Sequence, residues 1–305
     1  MTATEVRPAS RPQHLSHIKG GRPAPGAERR SLFRLVGTVC TWALAAFNVF
    51  ILVFMVFSSF KTTNQIFETP WAPPTELHTE NWTQAWKSGG FGQAALNTAV
   101  LVAAASVTII VIAAPAAYML SRTQSRSAAI LTVFFTMGIG IPTQVTIIPV
   151  FVMMSRANLI NSLFGLYITY TAISLPFTIF LLTGFFRSLP GRLEEAATID
   201  GAGTIRTFVQ IMLPLARSGL VTALILNVIG LWNETLIALV FIQEGSKSTL
   251  SLSLLSFMSK ITQYSDHANY GALFAGVCVL VLPTLAIYIW LGQRIVQGIT
   301  LGATK

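Results

Sequence analysis

Six long apolar runs alternate with polar segments along the chain: Leu35–Phe60, Ala94–Leu120, Ala128–Met154, Leu163–Phe186, Gly219–Ile242 and Gly271–Leu291. A helix needs about 20 mostly apolar residues to cross the ~30 Å hydrocarbon layer of a bilayer. Each run is long enough, so the pattern predicts six membrane-spanning helices. Pro115, Pro149, Pro176 and Pro283 fall within or near these runs. In a membrane such prolines are tolerated, because neighbouring helices re-satisfy the carbonyls they free. Residues 1–31 are rich in Arg, Pro, Ser and Gly and show no apolar period, which predicts a disordered tail. The run that follows is too long for the apolar part of a signal peptide and has no convincing small-residue cleavage site, so it reads as a retained first span.

One segment breaks the alternation. Between the fourth and fifth runs lies Ser188–Leu215, neither apolar enough to span nor featureless enough to be a tether. Ser188 is a plausible helix cap, with Pro190 in the first turn, where its missing N–H costs nothing. Glu194 and Glu195 sit early, where they suit the positive helix end. Gly201 and Gly203 permit a sharp change of direction, and Thr204 can cap a second piece. In that piece Ile205, Phe208, Val209 and Met212 recur at helical spacing and give one apolar face. Pro214 closes it. The pattern predicts two short amphipathic helices joined by a turn. Periodicity leaves two uses open: a hairpin lying on the membrane surface, or a rigid knob that fits a groove on a soluble partner.

Composition fixes the class. Of 305 residues, 53% are hydrophobic and 10% are charged, against roughly 25% charged in soluble domains. The net charge of +9 would ordinarily raise nucleic-acid binding, but these cations flank apolar runs, and the positive-inside rule accounts for them instead. If the N-terminus is cytoplasmic, the inner segments carry Arg7, Arg11, Lys19, Arg22, Arg29, Arg30, Arg34, Arg122, Arg126, Arg187, Arg192, Arg206, Arg217, Arg294 and Lys305. The outer segments carry Lys61, Lys87, Arg156, Lys247 and Lys260. Fifteen against five predicts both termini, and the Ser188–Leu215 segment, on the cytoplasmic side of the cell membrane. Two outer segments, about 61–93 and 243–270, are long. The first carries Trp71, Trp82 and Trp86, which read as an interfacial belt or, alternatively, as a docking surface for an external partner.

Little of the chain carries reactive chemistry. Cys40 and Cys278 lie inside apolar runs and read as small hydrophobes. His14, His17, His78 and His267 are scattered, so no metal site is expected. No phosphate-binding loop is present; the Gly245–Thr249 fragment lacks the upstream glycine spacing. Glu234 is the only acid placed within a predicted span, and an intramembrane acid is a functional candidate by default. It follows Trp232 and Asn233, and Asn227 lies seven residues earlier on roughly the same helix face. These four are candidate residues for a polar pathway through the membrane, bringing amides, a carboxylate and an aromatic ring to one stretch. A gate or structural role for Glu234 is the plainer reading.

The hairpin segment also resembles a known motif. Glu195-Ala196-Ala197, three residues, Gly201, nine residues, Ile211, one residue, then Leu213-Pro214 is similar to the EAA motif of the permease subunits of ATP-binding-cassette importers. Asp200-Gly201-Ala202 strengthens the match, whereas a proline common in the family is replaced by Ser218. Further fragments resemble the carbohydrate-importer branch, the group of the smaller maltose-type permease: Ser58–Phe67, Ala116–Arg122, Ile141–Val150, Leu175–Pro190, Trp232–Val240 and Gln293–Lys305.

The resemblance implies an all-α membrane protein: a basic cytoplasmic tail over residues 1–31 and a six-span permease domain over 32–305, with the coupling-helix (EAA) loop at 188–215. It implies a non-catalytic subunit of an ATP-driven sugar importer that forms half of the translocation pathway and works by alternating access. Glu195, Ala196, Ala197, Asp200, Gly201, Ala202, Ile211, Leu213 and Pro214 would then couple to an ATPase. The partners implied are a second permease, usually a different chain, two ATPase subunits, an extracytoplasmic sugar-binding protein and the membrane, with no nucleic acid. No cofactor is expected on this chain; ATP and Mg would sit on the ATPase. Two other classes are weighed against this. An ion-coupled secondary transporter would need intramembrane acids beyond Glu234 and an inverted repeat of spans. A membrane-embedded enzyme would need a nucleophile and base or a metal, and no His or Asp falls in any run.

Overall fold

The computed structural model describes residues 25–263 and 269–303, with side-chain surroundings for 34–261 and 269–289. Every element described is helical. In chain order they are α1 (Pro25–Ser58), α2 (Thr63–Glu68), α3 (Glu80–Ser88), α4 (Phe91–Arg122), α5 (Arg126–Ile139), α6 (Thr143–Arg156) and α7 (Leu163–Ser188). Then follow α8 (Arg192–Ile199), α9 (Thr204–Thr207), a π-turn (Phe208–Met212), α10 (Leu213–Leu215), α11 (Arg217–Trp232), α12 (Leu236–Phe241), a 3-10 turn (Gly245–Lys247), α13 (Leu250–Gln263) and α14 (Tyr270–Ala303).

Two compact units divide the chain between Val53 and Phe54. The first is helical from Pro25, so the last residues of the expected tail belong to α1, and residues 1–24 lie outside the described residues. Three of its described polar side chains are satisfied on its own backbone: Thr38, Thr41 and Asn48 each donate to the carbonyl four residues back, at 2.8 Å. That is how an apolar helix tolerates them.

The second unit is built around α4 and α7, which pack along their lengths. On α4 the buried positions Ala94, Thr98, Leu101, Ala105, Ile109, Ala113 and Ala117 recur at helical spacing and are mostly small. Small residues let two backbones approach closely, which matters in lipid, where no hydrophobic effect drives helix pairing. The threonines of α7 stay satisfied within the helix, Thr169 on Gly165 O, Thr178 on Ser174 O and Thr183 on Ile179 O. Helix α11 joins the pair through Gly219: a Cβ there would lie 2.5 Å from the Phe185 ring, so only glycine lets α11 approach α7 so closely.

Among the described residues, four segments are single helices long and apolar enough to cross a membrane: Arg34–Ser58, Phe91–Arg122, Leu163–Ser188 and Tyr270–Ile289. Two bent pairs bring the total to as many as six: Arg126–Ile139 with Thr143–Arg156 at 102°, and Thr204–Leu215 with Arg217–Trp232 at 73°. The third apolar run, expected as one helix over Ala128–Met154, is therefore broken. Each half has 14 residues, about 21 Å of helix, short of the ~30 Å layer. The break falls at Gly140, Ile141 and Pro142, where Pro142 has no N–H to continue the ladder and forces Ile141 out of the helical region. The fifth run, expected over Gly219–Ile242, is also interrupted. Helix α11 ends at Trp232 and α12 starts at Leu236, so Glu234 lies in a helix break and not inside a continuous span.

The long segments between spans are ordered where described. Lys61 is 1% exposed and donates to Thr69 O and Pro70 O, while Asn81 donates to Ser59 O and Lys61 O. Asn269 in turn donates to Asn81 and Gln84, tying this segment to the start of α14. Trp82 is half-buried against Phe60, whereas Trp71 and Trp86 are exposed. In the other long segment α13 buries Leu250, Leu252 and Phe257, with Phe257 edge-on to Phe91.

Candidate functional site

The Ser188–Leu215 segment folds as a helical hairpin. Ser188 ends α7 and does not cap α8; Gly191 holds that place without a side-chain bond. The reason is that Leu189 and Pro190 continue no helix, so α8 starts after them. Its C-terminus explains the spacing of the motif. Gly201 has φ +77°, its N–H donates to Thr198 O at 3.0 Å, and the Ala202 N–H donates to Ala197 O at 2.9 Å. This is the Schellman arrangement, in which a left-handed residue closes the helix and satisfies its last carbonyls. A Cβ at Gly201 would meet nothing within 4 Å, so the requirement for glycine is one of backbone conformation and not of space. Asp200 is the exposed residue at the helix end. Gly203, not Thr204, takes the capping position of α9, again without a side-chain bond.

The second piece does not bury the whole of its expected apolar face. Met212 is fully buried, and Phe208 packs beside Tyr118 and Phe186 at ring separations of 5.0 and 6.2 Å. Ile205, by contrast, is 80% exposed and Val209 50%. On a helix the four span a wide stripe, and only one flank of it meets the core. Ile205 and Val209 line a shallow recess with Gly203, Thr204, Arg206 and Gln210. Across the turn, Ile199 is 86% exposed. Of the motif residues, Ala197 and the neighbouring Met212 face inward, Ala202, Ile211 and Leu213 are half-buried, and Glu195, Ala196, Asp200, Gly201 and Pro214 are exposed. Pro214 sits in α10 directly after the π-turn, and the bend into α11 follows at Ala216.

The two adjacent glutamates part company. Glu195 makes no ion pair or hydrogen bond through its side chain among the described residues and points to solvent. Glu194 is 22% exposed and its Oε1 accepts from Arg122 Nε at 2.7 Å. Arg122 Nη2 also donates to Leu189 O at 3.1 Å. Sequence reasoning missed this clamp. Arg122 ends α4, 72 residues before Glu194, and no local pattern joins them.

The four candidate pathway residues are all engaged within the chain. Asn227 is buried and bonds Thr178 on α7 at 3.0 Å and Ala223 O at 2.8 Å. Trp232 donates from its indole N–H to Leu280 O on α14. Asn233 is exposed and donates to Ile229 O. Glu234 accepts from the Tyr170 hydroxyl at 2.6 Å, from the Ile237 N–H at 2.8 Å and from the Ala238 N–H at 3.3 Å. Its backbone carbonyl accepts from Ser251 on α13 at 2.6 Å. Glu234 thus closes the open N-terminus of α12 and ties the break to α7 and α13, the role a capping residue plays at a helix start. Among the described residues no group of three or more His, Cys, Asp or Glu side chains is placed to hold a metal.

Known proteins bear on this arrangement. Residues 106–299 match the family model described as "Binding-protein-dependent transport system inner membrane component". The chain is 33% identical over 303 residues to the diacetylchitobiose uptake system permease protein NgcG of Streptomyces coelicolor, covering 99% of each chain. It is also 33% identical over 257 residues to the multiple sugar-binding transport system permease protein MsmG of Streptococcus mutans, covering 83% of this chain and 91% of that one. Among solved structures, a chain of a bacterial ABC transporter involved in the import of the acidic polysaccharide alginate superposes with a TM-score of 0.74. That match covers 90% of this chain and 99% of the other at 19% identity, and it speaks for the fold alone.

Proposed function

The chain belongs to the binding-protein-dependent transport system inner membrane components, and on that premise we propose that it is the permease subunit of an ATP-driven carbohydrate importer. The observation that carries the mechanism is the hairpin. It presents Glu195, Ile199, Ile205 and Val209 outward while anchoring its other flank in the helix core. A partner can shift an equilibrium between two conformations only through contacts that differ between them. A rigid hairpin with an exposed apolar recess and a free carboxylate is suited to such contacts. We assign it as the coupling element for a separate ATPase subunit, which would hold the ATP and Mg.

In this reading the chain crosses the membrane six times, with α5 and α6 together counted as the third crossing and α11 with α12 as the fifth, the hairpin lying outside them. Both termini and the hairpin are cytoplasmic, as fifteen of twenty cations favour. The chain is one half of a pathway completed by a second, different permease, and an external binding protein delivers the sugar. The relatives' names support an oligosaccharide as cargo. Alternating access then consists of the ATPases moving the two hairpins and, through them, the spans.

Two measurements test the proposal. Uptake into liposomes holding the whole importer should require both ATP and the binding protein; uptake driven by an ion gradient without them would instead establish a secondary transporter. Orientation is tested with single cysteines at Ser125, Thr204 and Ser246 in a background lacking Cys40 and Cys278. An impermeant thiol reagent on intact cells should label the Ser246 position alone, and labelling at Thr204 but not Ser246 would overturn the topology.

A further inference from the structure

The hairpin has two mechanical connections to the rest of the unit. One is the chain itself, which runs through α10 into α11 by a 73° bend at Ala216. Across that bend only backbone bonds join the two sides, Ala216 N–H to Met212 O at 2.9 Å and Leu220 N–H to Ala216 O at 3.0 Å, and they lead to α11 alone. The other connection is made of side chains and leads to α4 and α7. Arg122, the last residue of α4, holds Glu194 of α8 at 2.7 Å and the Leu189 carbonyl of the α7–α8 link at 3.1 Å. Both side chains of the pair are only about a fifth exposed, at 21% and 22%. One turn back along α4, Tyr118 packs against Phe186 of α7 and Phe208 of the π-turn. Met212, Phe186 and Ala117 are fully buried in the same cluster.

We propose that Arg122 is a positioning residue for energy coupling: its clamp on Glu194 and Leu189 makes the hairpin move as one body with the ends of α4 and α7. This rests on the hairpin being the ATPase-docking element, and it adds which spans receive the motion. Charge-assisted hydrogen bonds of this kind are short and directional. The guanidinium bridges two elements at once, which a lysine ammonium reproduces poorly because it lacks the planar fork. Glu195, one residue away, remains free for the partner. The paired glutamates thus divide the work, Glu194 toward the permease and Glu195 toward the ATPase.

The test uses the complete importer in liposomes, with sugar uptake and ATP hydrolysis measured in the same preparation and expressed per inserted, ATPase-bound complex. Arg122→Ala should bind the ATPase within twofold of the parent and continue to hydrolyse ATP, yet transport at least tenfold less sugar per ATP. Arg122→Lys should fall between the two. The exchange Arg122→Glu with Glu194→Arg should recover at least a third of the parent ratio, while each single reversal stays near Arg122→Ala. A purely structural role would lower the amount of complex and leave sugar per ATP unchanged, and that result overturns the proposal. So does an exchange variant no better than its single reversals. Ile205→Asp tests the docking assignment separately from the ratio: loss of ATPase binding supports docking through the hairpin, and unchanged binding overturns that assignment whatever the sugar-per-ATP ratio of the Arg122 variants.

Discussion

The hairpin at 188–215 and the α11–α12 junction at Asn227–Glu234 both carry polar residues in an apolar chain, and they use them in opposite ways. At the junction every polar side chain has a partner inside the protein: Asn227 on Thr178, Trp232 on Leu280, Asn233 on Ile229 and Glu234 on Tyr170 and two amides. In the hairpin Glu195, Ile199 and Ile205 are left exposed, while Glu194, Ala197 and Met212 are turned to the protein. A polar group in a membrane span must be satisfied there, so its presence alone does not mark a binding site. Exposed apolar and charged side chains on an anchored turn have no internal use, which is what the proposed docking surface requires.

Substitutions can break this contrast. The largest effect is expected at Gly201, whose φ of +77° disfavours any residue with a Cβ and a β-branched one most. Gly201→Val should reduce sugar uptake below about a tenth of the parent level while membrane insertion is retained. Gly201→Asn should keep more activity, because Asn tolerates the left-handed region. Equal uptake in the Val and Asn variants would refute a conformational role. Next is Glu234→Leu, which leaves the Tyr170 hydroxyl and two N–H groups without their acceptor. At about 1–3 kcal/mol for each orphaned buried donor, the thermal midpoint of the purified protein should fall clearly. The relative uptake of competing sugars should stay the same; a changed preference would instead identify Glu234 as a sugar contact.

Smaller effects sharpen the hairpin side. Ile205→Asp puts a charge on a side chain that is 80% exposed, so folding should be untouched. ATPase co-purification should nevertheless drop roughly tenfold, equivalent to about 1.4 kcal/mol. A normal yield of complex would remove Ile205 from the docking surface. Glu195→Ala is expected to be the mildest, removing one exposed ion pair with the partner worth about 1 kcal/mol or less. Its effect should shrink as salt is raised; an effect independent of salt would argue against a charge contact.

What could be read in the chain beforehand follows from the range of each interaction. The apolar runs and the hairpin depend on neighbours within a few residues, so hydropathy and helical spacing suffice to find them. Gly201 was legible for the same reason, because a left-handed closing residue is a local demand. The breaks at Gly140–Pro142 and Asn233–Thr235 were visible as residue types, yet a membrane tolerates such residues in straight helices as well. Only the packing decides for a bend of 102° in the first case. The partition of the Ile205, Phe208, Val209 and Met212 stripe depends on which flank meets Tyr118 and Phe186. The choice between Glu194 and Glu195 depends on where Arg122 ends, 72 residues away. Such pairings leave no trace in a window of local sequence. Asn227 and Glu234 were placed on a common face, and both do reach α7, through Thr178 and Tyr170. What the spacing could not say is that this face looks into the protein.

The π-turn at Phe208–Met212 gives the motif's fixed length a geometric meaning. There the Leu213 N–H reaches back five residues to Phe208 O, so the turn holds one residue more than an α-helix would. Each residue of an α-helix advances the chain by about 100° around its axis. Taking the extra residue out would therefore turn Ile205 and Val209 a quarter-circle or so away from their present heading while Met212 stayed fixed in the core. The nine residues between Gly201 and Ile211 thus set an angle rather than a distance: they are the phase adjustment that aims one end of a rod while the other end is held.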